Sequence, residues 1–240
     1  MQQKDRIRWS FSKLSTANQC KMQYKLAYED VVEQVSNNYG AYGSLMHDSI
    51  EMILRGEDGL SNYLAGMDGL ELPISSKEHD YHTAVPTFLK SFSASKIQGE
   101  ILNIEKKREF DIDENNYFIG LSDLDIRLAS GGLAIIDWKI SKKFSGKTLK
   151  EKARQLYLYA RFIKDEFGEF PEKMFFFFPT DSSKKPYCEI KFNLGDYNEA
   201  QDWMMGIIND IRGNEEREAT PSFFFCKNLC GVRLHCSHDN

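Results

Sequence analysis

The chain has 240 residues, which is enough to bury a full hydrophobic core and few enough that we expect one compact domain. Its formal net charge is −5 at pH 7, so any attraction to a polyanion must come from a local basic patch. No apolar run approaches the ~20 residues that cross a bilayer, and the first ten residues lack the apolar stretch of a secretory signal. We therefore expect no membrane association and a reducing, cytoplasmic location, where five cysteines are read first as metal ligands.

The first hundred residues carry helical patterns. Apolar residues recur every three or four positions over 14–28, 42–54 and 83–97, which predicts three helices. A stretch with several glycines at 56–76 is interpreted as an inserted loop or an irregular pair of helices.

After residue 100 the pattern changes to short apolar runs. The runs at 101–112, 117–128 and 133–140 are separated by turn residues at 113–116 and 130–132, which predicts a meander of three antiparallel strands. A helix over 149–167, strands over 173–178 and 187–193, and a helix over 197–212 follow. This order predicts an α/β fold with a mixed central sheet flanked by helices.

The third strand of the meander ends in polar residues. Asp137 and Lys139 lie two apart, so they project from the same face of the strand, and Asp123 on the preceding strand would lie opposite them. Converging carboxylates are ligands for Mg²⁺ or Mn²⁺, and a neighbouring lysine can hold a water or neutralise a phosphate. Asp125 is a reserve for Asp123, and solvated charges at a strand end are the competing interpretation.

Two motifs at a distance favour the site over that competing interpretation. His47 closes a Gly-x-x-x-His pattern on a predicted helix, and Gln155 and Tyr159 lie four apart on one face of the helix that follows the strand.

With these motifs in this order, the sequence resembles the RecB-like branch of the PD-(D/E)xK nucleases, which includes helicase-associated nuclease domains and CRISPR-adaptation exonucleases. The resemblance covers nearly the whole chain. It rests on Ser-Phe-Ser-Lys-Leu at 10–14, Gly-x-x-x-His at 43–47, Gly-x-x-Asp at 120–123, Ile-Ile-Asp-Trp-Lys at 135–139, Gln-x-x-x-Tyr at 155–159 and the cysteines.

The resemblance implies a restriction-endonuclease-like core and a role for each matched residue. His47, Asp123, Asp137 and the backbone carbonyl of Trp138 would bind the metal, Lys139 would be the catalytic lysine, and Gln155 and Tyr159 would support the site or contact DNA. The domain would run over 1–240, with a helical part at 1–99, the catalytic sheet and helix at 100–193, and a terminal helix and cysteine cluster at 194–240.

Four of the cysteines form a further pattern. Cys226, Cys230 and Cys236 are close in sequence, and Cys20 lies alone near the other end; soft thiolates suit an iron–sulfur cluster or zinc. The resemblance implies a [4Fe–4S] cluster that joins the two chain ends, although the family usually has two residues, not three, after the first of the clustered cysteines. Zinc, with His235 or His238 as a ligand, and unligated thiols remain alternatives, and Cys188 is interpreted as a core residue.

A run of lysines follows the catalytic strand and supplies the local basic patch. Its members, Lys142, Lys143, Lys147, Lys150 and Lys152 together with Lys139, could meet phosphates, or they could form a solvated loop and helix start. The aromatic residues at 223–225 are expected to pack the cysteine loop.

These observations predict a metal-dependent DNA nuclease. We expect an exonuclease on single-stranded DNA or free ends, because no module that reads a DNA groove is evident. The resemblance implies 5′→3′ polarity, action in recombination, repair or replication, and a helicase or recombination partner. The alternative is a catalytically silent nuclease fold that binds DNA or acts as a scaffold. Endonuclease activity, the natural DNA substrate and the oligomeric state stay open.

Overall fold

The structure is a computed structural model that describes residues 6–35, 38–70, 83–94, 97 and 99–237. The chain divides into two compact units. The terminal unit contains Met1–Asn37, Glu109–Gly120 and Asn198–Asn240, and the central unit contains Asn38–Arg108 and Leu121–Tyr197. The prediction of one nuclease domain over 1–240 stays a prediction.

Six strands form a mixed sheet. They are β1 (Ile7–Trp9), β2 (Gly99–Asp113), β3 (Asn116–Leu128), β4 (Leu133–Trp138), β5 (Lys173–Phe177) and β6 (Tyr187–Lys191). Hydrogen bonds join them in the order β1-β3-β4-β5-β6, and β2 pairs with β3. Parallel and antiparallel neighbours coexist and helices flank the strands, which confirms the predicted α/β class.

The hairpin of β3 and β4 carries the predicted motif. The two strands are antiparallel with Leu124 opposite Ile136, and the turn closes where Leu128 N donates to Gly132 O at 2.8 Å. Gly131 has φ 89°, a left-handed conformation that favours glycine, so the Ser-Gly-Gly turn is explained. Continuing the register by one residue places Asp123 opposite Asp137.

Beyond the hairpin the chain crosses over to a parallel strand. Helix α6 (Gly146–Phe167) makes the crossover and ends at Gly168, whose φ is 81°, before β5 pairs with β4 in parallel. All residues from Met174 to Phe178 are buried, because a strand in the middle of a sheet is covered on both faces. The expected core role of this aromatic run is confirmed.

Helices α3 (Asn38–Leu54), α4 (Gly59–Met67) and α5 (Ala84–Ala94) complete the central unit. One apolar core joins Tyr42, Met46 and Ile50 of α3 to Phe88 of α5 and Trp138 of β4. The stretch predicted as a loop or helical pair at 56–76 contains α4, and its residues 71–76 lie outside the described residues. A Cβ on Gly59 would lie 2.1 Å from Ser49 O, so glycine lets α3 and α4 approach closely.

The terminal unit contains β1, which runs parallel to the start of β3, and most of α7 (Leu194–Gly213). The single helix predicted over 14–28 is wrong: the chain forms α1 (Phe11–Gln19), α2 (Lys21–Tyr24) and a π-helix (Lys25–Glu29). The break lies at Cys20, which is extended with φ −157°, and its Sγ accepts from Gln23 N at the start of α2. The thiol takes the place of a serine or aspartate cap, a use that helical periodicity does not reveal.

The C-terminal segment has little regular structure. It contains α8 (Phe223–Asn228) and a 3₁₀ turn (Arg233–His235). Phe225 packs with Ala27 and Val232 as expected, whereas Phe223 and Phe224 are exposed, so the prediction that 223–225 packs the cysteine loop holds for Phe225 alone. Within the described residues, no helix combines the length and apolar character needed to span a membrane.

Candidate active site

The hairpin positions two buried aspartates. Asp123 of β3 is 6% exposed and Asp137 of β4 is 1% exposed. Asp123 Oδ2 accepts a hydrogen bond of 2.6 Å from the backbone N–H of Trp138, so the partner strand fixes the orientation of this carboxylate. The two carboxylates expected from the sequence therefore occur on adjacent strands, as the meander predicted.

Helix α3 brings His47 to the same place. Its Nδ1 lies 3.7 Å from Asp123 Oδ2 and 3.7 Å from Oε1 of Glu105 on β2. One ligand atom from each of these three residues lies within 4.8 Å of the other two. In the part of the chain that the structure describes, no other group of three His, Cys, Asp or Glu ligands meets this limit. Oxygen and imidazole ligands at such spacing suit a divalent cation.

Glu105 is a residue that the sequence did not reveal. It lies among Glu, Lys, Lys and Arg, a sequence typical of a solvated strand face. Its backbone φ is 48°, although it lies inside β2, and a non-glycine residue in this conformation costs about 1–3 kcal/mol. Its buried Oε1 has no hydrogen-bond partner. The irregular backbone points an acidic side chain at His47, and strict alternation along a strand does not predict this.

Asp137 is held by groups on its own strand and on α6. Lys139 Nζ lies 2.7 Å from its Oδ2, and Gln155 Nε2 donates to its Oδ1 at 2.9 Å. Gln155 Nε2 also lies 3.1 Å from the hydroxyl of Tyr159, one turn further along the helix. The structure thus brings together Asp137, Lys139, Gln155 and Tyr159, which the sequence reasoning had selected from two separate elements.

The buried charges shift one another's protonation. Burial and the neighbouring Asp137 raise the pKa of Asp123 well above its usual range. Burial alone would lower the pKa of His47, but Glu105, Asp123 and Asp137 outweigh it and raise the value. Burial likewise acts to lower the pKa of Lys139, and the same two aspartates raise it. Three carboxylates face one ammonium, so the site attracts a further cation.

Asp125, the reserve candidate, lies in a different environment. It is 1% exposed and accepts a hydrogen bond of 2.5 Å from Arg108 Nη2 and one of 3.3 Å from Asn103 Nδ2. Arg108 also pairs with Glu166 at 2.7 Å. Asp125 is absent from the group of three ligands within the described residues, and its contacts are those of a buried structural ion pair.

The site opens to solvent through a cleft of about 710 Å³. His47, Glu105, Trp138 and Lys139 contribute to its walls, so both sides of the cation group are accessible. The remaining lining residues are Gly40, Gly43, Ser44, Asp48, Glu51, Leu121 and Ile140. The glycine of the Gly-x-x-x-His pattern therefore lies at the rim of the cleft that the histidine faces.

The lysine run after β4 is solvent-exposed. Lys142, Lys143, Lys147, Lys150 and Lys152 are all exposed, in the loop and the first turns of α6. Lys143 Nζ donates to the backbone oxygen of Lys185 at 2.6 Å, and Lys147 lies 3.7 Å from Glu151. Positive charge is thus available on the surface directly after Lys139, where phosphates could bind.

Four cysteines line one small cavity in the terminal unit. Cys20, Cys226, Cys230 and Cys236 surround a space of about 20 Å³, and all four are free thiols. Backbone N–H groups of Gln23 and Thr220 lie 3.4 Å from Cys20 Sγ, and that of Ser222 lies 3.3 Å from Cys226 Sγ. Burial and the three other thiols raise the pKa of Cys230.

Cys188 is separate from this group, as the sequence predicted. It is 8% exposed on β6, and its thiol contacts the backbone oxygen of Phe144 at 3.2 Å. Its contacts are those of a core residue.

The sheet, the paired aspartates and the lysine beside them define a nuclease. The sequence model of the PD-(D/E)XK nuclease superfamily matches residues 8–237, so the chain belongs to that superfamily. The expected relationship is therefore confirmed over nearly the whole chain.

Solved structures show the same fold at low identity. A protein of Eubacterium rectale named as a candidate exonuclease has a TM-score of 0.57 and 12% identity, over 97% of this chain and 88% of that chain. The protein SSO0001 has a TM-score of 0.44 and 17% identity, over 97% and 87% of the two chains, a likeness that carries no argument.

A curated relative matches only a segment. The serine/threonine-protein phosphatase UIS2 of Plasmodium berghei (strain Anka) is 30% identical over 100 residues. The match spans 41% of this chain and 7% of that protein, so nothing about activity is transferred from it.

Proposed function

We propose that this protein is a divalent-cation-dependent deoxyribonuclease, acting as one nuclease domain over residues 1–240. The observation that carries the proposal is the meeting of His47, Glu105 and Asp123 beside the Asp137–Lys139 pair in an open cleft. Cation ligands and a fixed ammonium are the parts that phosphodiester hydrolysis needs.

The residues present fit Mg²⁺ or Mn²⁺. The donor set is oxygen-rich, and the buried Oε1 of Glu105 lacks any hydrogen-bond partner. His47, Asp123, Asp137 and the carbonyl of Trp138 would hold the cation. When bound, it would supply Lewis-acid polarisation of the phosphate and an activated water.

The protein's own groups perform the remaining tasks. Lys139 would neutralise charge that develops on the phosphate, or hold the attacking water, and Asp137 keeps its ammonium 2.7 Å away. Gln155 holds the other oxygen of Asp137 and is itself positioned by Tyr159. The helix α6 thereby locks the rotamer of the central carboxylate.

We further propose an exonuclease on single-stranded DNA or free ends, with 5′→3′ polarity. The exposed lysines at 142–152 are suited to the phosphates of a strand that leaves the cleft. Action in recombination, repair or replication, with a helicase or recombination partner, belongs to the same proposal.

The test is digestion of end-labelled oligonucleotides with Mn²⁺ and with chelator. Wild-type protein is expected to shorten single strands from one end with Mn²⁺ only, whereas Lys139→Met and Asp137→Asn lose at least about 10³-fold in rate. Lys152→Met, which alters an exposed lysine of the same run, is the matched control and keeps cleavage. Undiminished digestion by both site variants contradicts the proposal. DNA binding without wild-type cleavage favours the silent scaffold.

We propose separately that Cys20, Cys226, Cys230 and Cys236 hold a [4Fe–4S] cluster. The four thiols share one cavity, and N–H groups point at two of the sulfurs, as expected for thiolates bound to a metal centre. A single zinc ion with bonds of ~2.3 Å requires sulfurs about 3.8 Å apart. No three of these sulfurs lie within 4.8 Å of one another, which favours a polynuclear centre.

Iron content and colour test the cluster. An anaerobically purified brown protein with four iron atoms per chain is expected. A colourless preparation loaded with zinc contradicts the iron–sulfur assignment.

A further inference from the structure

The cation ligands of the active site do not form one set. His47, Glu105 and Asp123 lie within 4.8 Å of one another, and Asp137 is not a member of that group. In an octahedral site with bonds of ~2.1 Å, two ligand atoms are at most about 4.2 Å apart. One ion therefore cannot be reached by all four side chains as they are placed.

Asp137 nevertheless lies close to Asp123. The two residues are opposite each other in the hairpin, and the charge of Asp137 raises the pKa of Asp123. Lys139 and Gln155 each contact one oxygen of Asp137, and a carboxylate oxygen has a second lone pair, so both oxygens can still bind a cation. Asp123 is thus the residue that the two groups share.

Glu105 is the residue that makes the first group possible. Its left-handed backbone inside β2 directs the carboxylate at His47, and the buried Oε1 has no hydrogen-bond donor within reach. An irregular backbone and an unsatisfied buried acceptor at the same residue point to a missing ligand. A purely structural glutamate would have a cationic or N–H partner at this oxygen.

We propose that the centre binds two divalent cations that share Asp123. His47, Glu105 and Asp123 bind one, and Asp123, Asp137 and the carbonyl of Trp138 bind the other. This inference rests on the proposed nuclease function and adds a second metal site to it. Two cations ~3.5–4 Å apart can stabilise both the attacking and the leaving oxygen of an in-line displacement.

Titration with Mn²⁺ alone, without DNA, tests the proposal. Calorimetry on the intact, cluster-replete protein is expected to give two Mn²⁺ per chain for wild type and one for Glu105→Gln. Electron paramagnetic resonance is expected to show spin coupling between the two ions in wild type, and an uncoupled Mn²⁺ spectrum in the variant. The wild-type measurement needs no substitution, so it decides the matter even if the variant folds poorly.

Glu51→Gln is the matched control. Glu51 lines the same cleft from α3, one turn after His47, but pairs with Arg55 at 2.7 Å and is not in the ligand group. It removes the same charge, so it is expected to keep two Mn²⁺ per chain. Loss of one ion in both variants would mean that general charge, and not ligation by Glu105, sets the number.

The results also separate this inference from the nuclease proposal. One Mn²⁺ per wild-type chain, or two in Glu105→Gln, overturns the two-cation centre, and cleavage by that protein leaves the nuclease proposal standing. Two coupled ions without cleavage of any DNA defeat the nuclease proposal and leave the two-cation centre.

Discussion

The buried pair of Arg108 and Asp125 offers a stability test that is independent of catalysis. The side chains are 8% and 1% exposed, and their nearest atoms are 2.5 Å apart. Replacing Arg108 by methionine keeps most of the apolar volume but leaves the charge of Asp125 with only the amide of Asn103 at 3.3 Å. Removing one partner of a buried ion pair costs about 3–5 kcal/mol.

That loss predicts a large fall in thermal midpoint. In a chain of this size, each kcal/mol lowers the midpoint by about 2–4 °C, so we expect a fall of roughly 6–20 °C for Arg108→Met. Burial raises the pKa of Asp125 although Arg108 opposes it, and without Arg108 the pKa rises further. A carboxyl with a raised folded-state pKa loses stability as pH rises through that pKa. The deficit of the variant is therefore full at neutral pH and shrinks as pH falls through the raised pKa.

Calorimetry or circular dichroism across pH measures the effect. Arg108→Met with Asp125→Asn is the control, and it should recover at least half of the deficit because no charge stays unpaired. Below the midpoint, Arg108→Met should retain Mn²⁺-dependent cleavage, since Asp125 lies outside the cation ligands. A midpoint within 2 °C of wild type would refute the reasoning, as would an unchanged deficit at low pH.

Three further outcomes follow from the contacts. Asp123→Asn should abolish cleavage yet raise the free energy of unfolding in chelator by about 1–2 kcal/mol, measured by urea denaturation. Gln155→Ala should lower the cleavage rate about 10–100-fold because Asp137 loses a support, and Tyr159→Phe should lower it less; equal losses in single-turnover assays would contradict this order. Cys230→Ser should lose iron and lower the thermal midpoint, whereas Cys188→Ser, at a thiol outside the cavity, should retain iron.

The sheet and its motif could be predicted from the sequence because each depends on local signals. Turn residues bound β2, β3 and β4, and the structure extends the predicted limits by at most a few residues at either end. Alternation along β4 puts Asp137 and Lys139 on one face whatever the tertiary packing. Four-residue spacing does the same for Gln155 and Tyr159 on α6.

The parts that were not predicted depend on departures from regular geometry. Glu105 enters the site through a left-handed residue inside a strand, and no side-chain pattern marks that position. Strand alternation also groups Asp123 with Asp125, whereas Arg108 of β2 pairs with Asp125 alone. The partner that decides between two equivalent carboxylates lies on another strand, so the sequence of β3 could not choose.

The composition of the site implies that cation binding and stability are linked. Without a cation, Glu105, Asp123 and Asp137 are close together and Lys139 is the ammonium in direct contact with them, so like-charge repulsion remains. A cation that binds only the folded state adds about 2.7 kcal/mol at one hundred times its Kd. Asp123→Asn removes the repulsion and the shared ligand together, so its unfolding free energy should exceed that of wild type in chelator and fall below it in saturating Mn²⁺. A crossing of the two curves requires a centre that is strained when metal-free, whereas parallel curves would mean that Asp123 does not bind the cation.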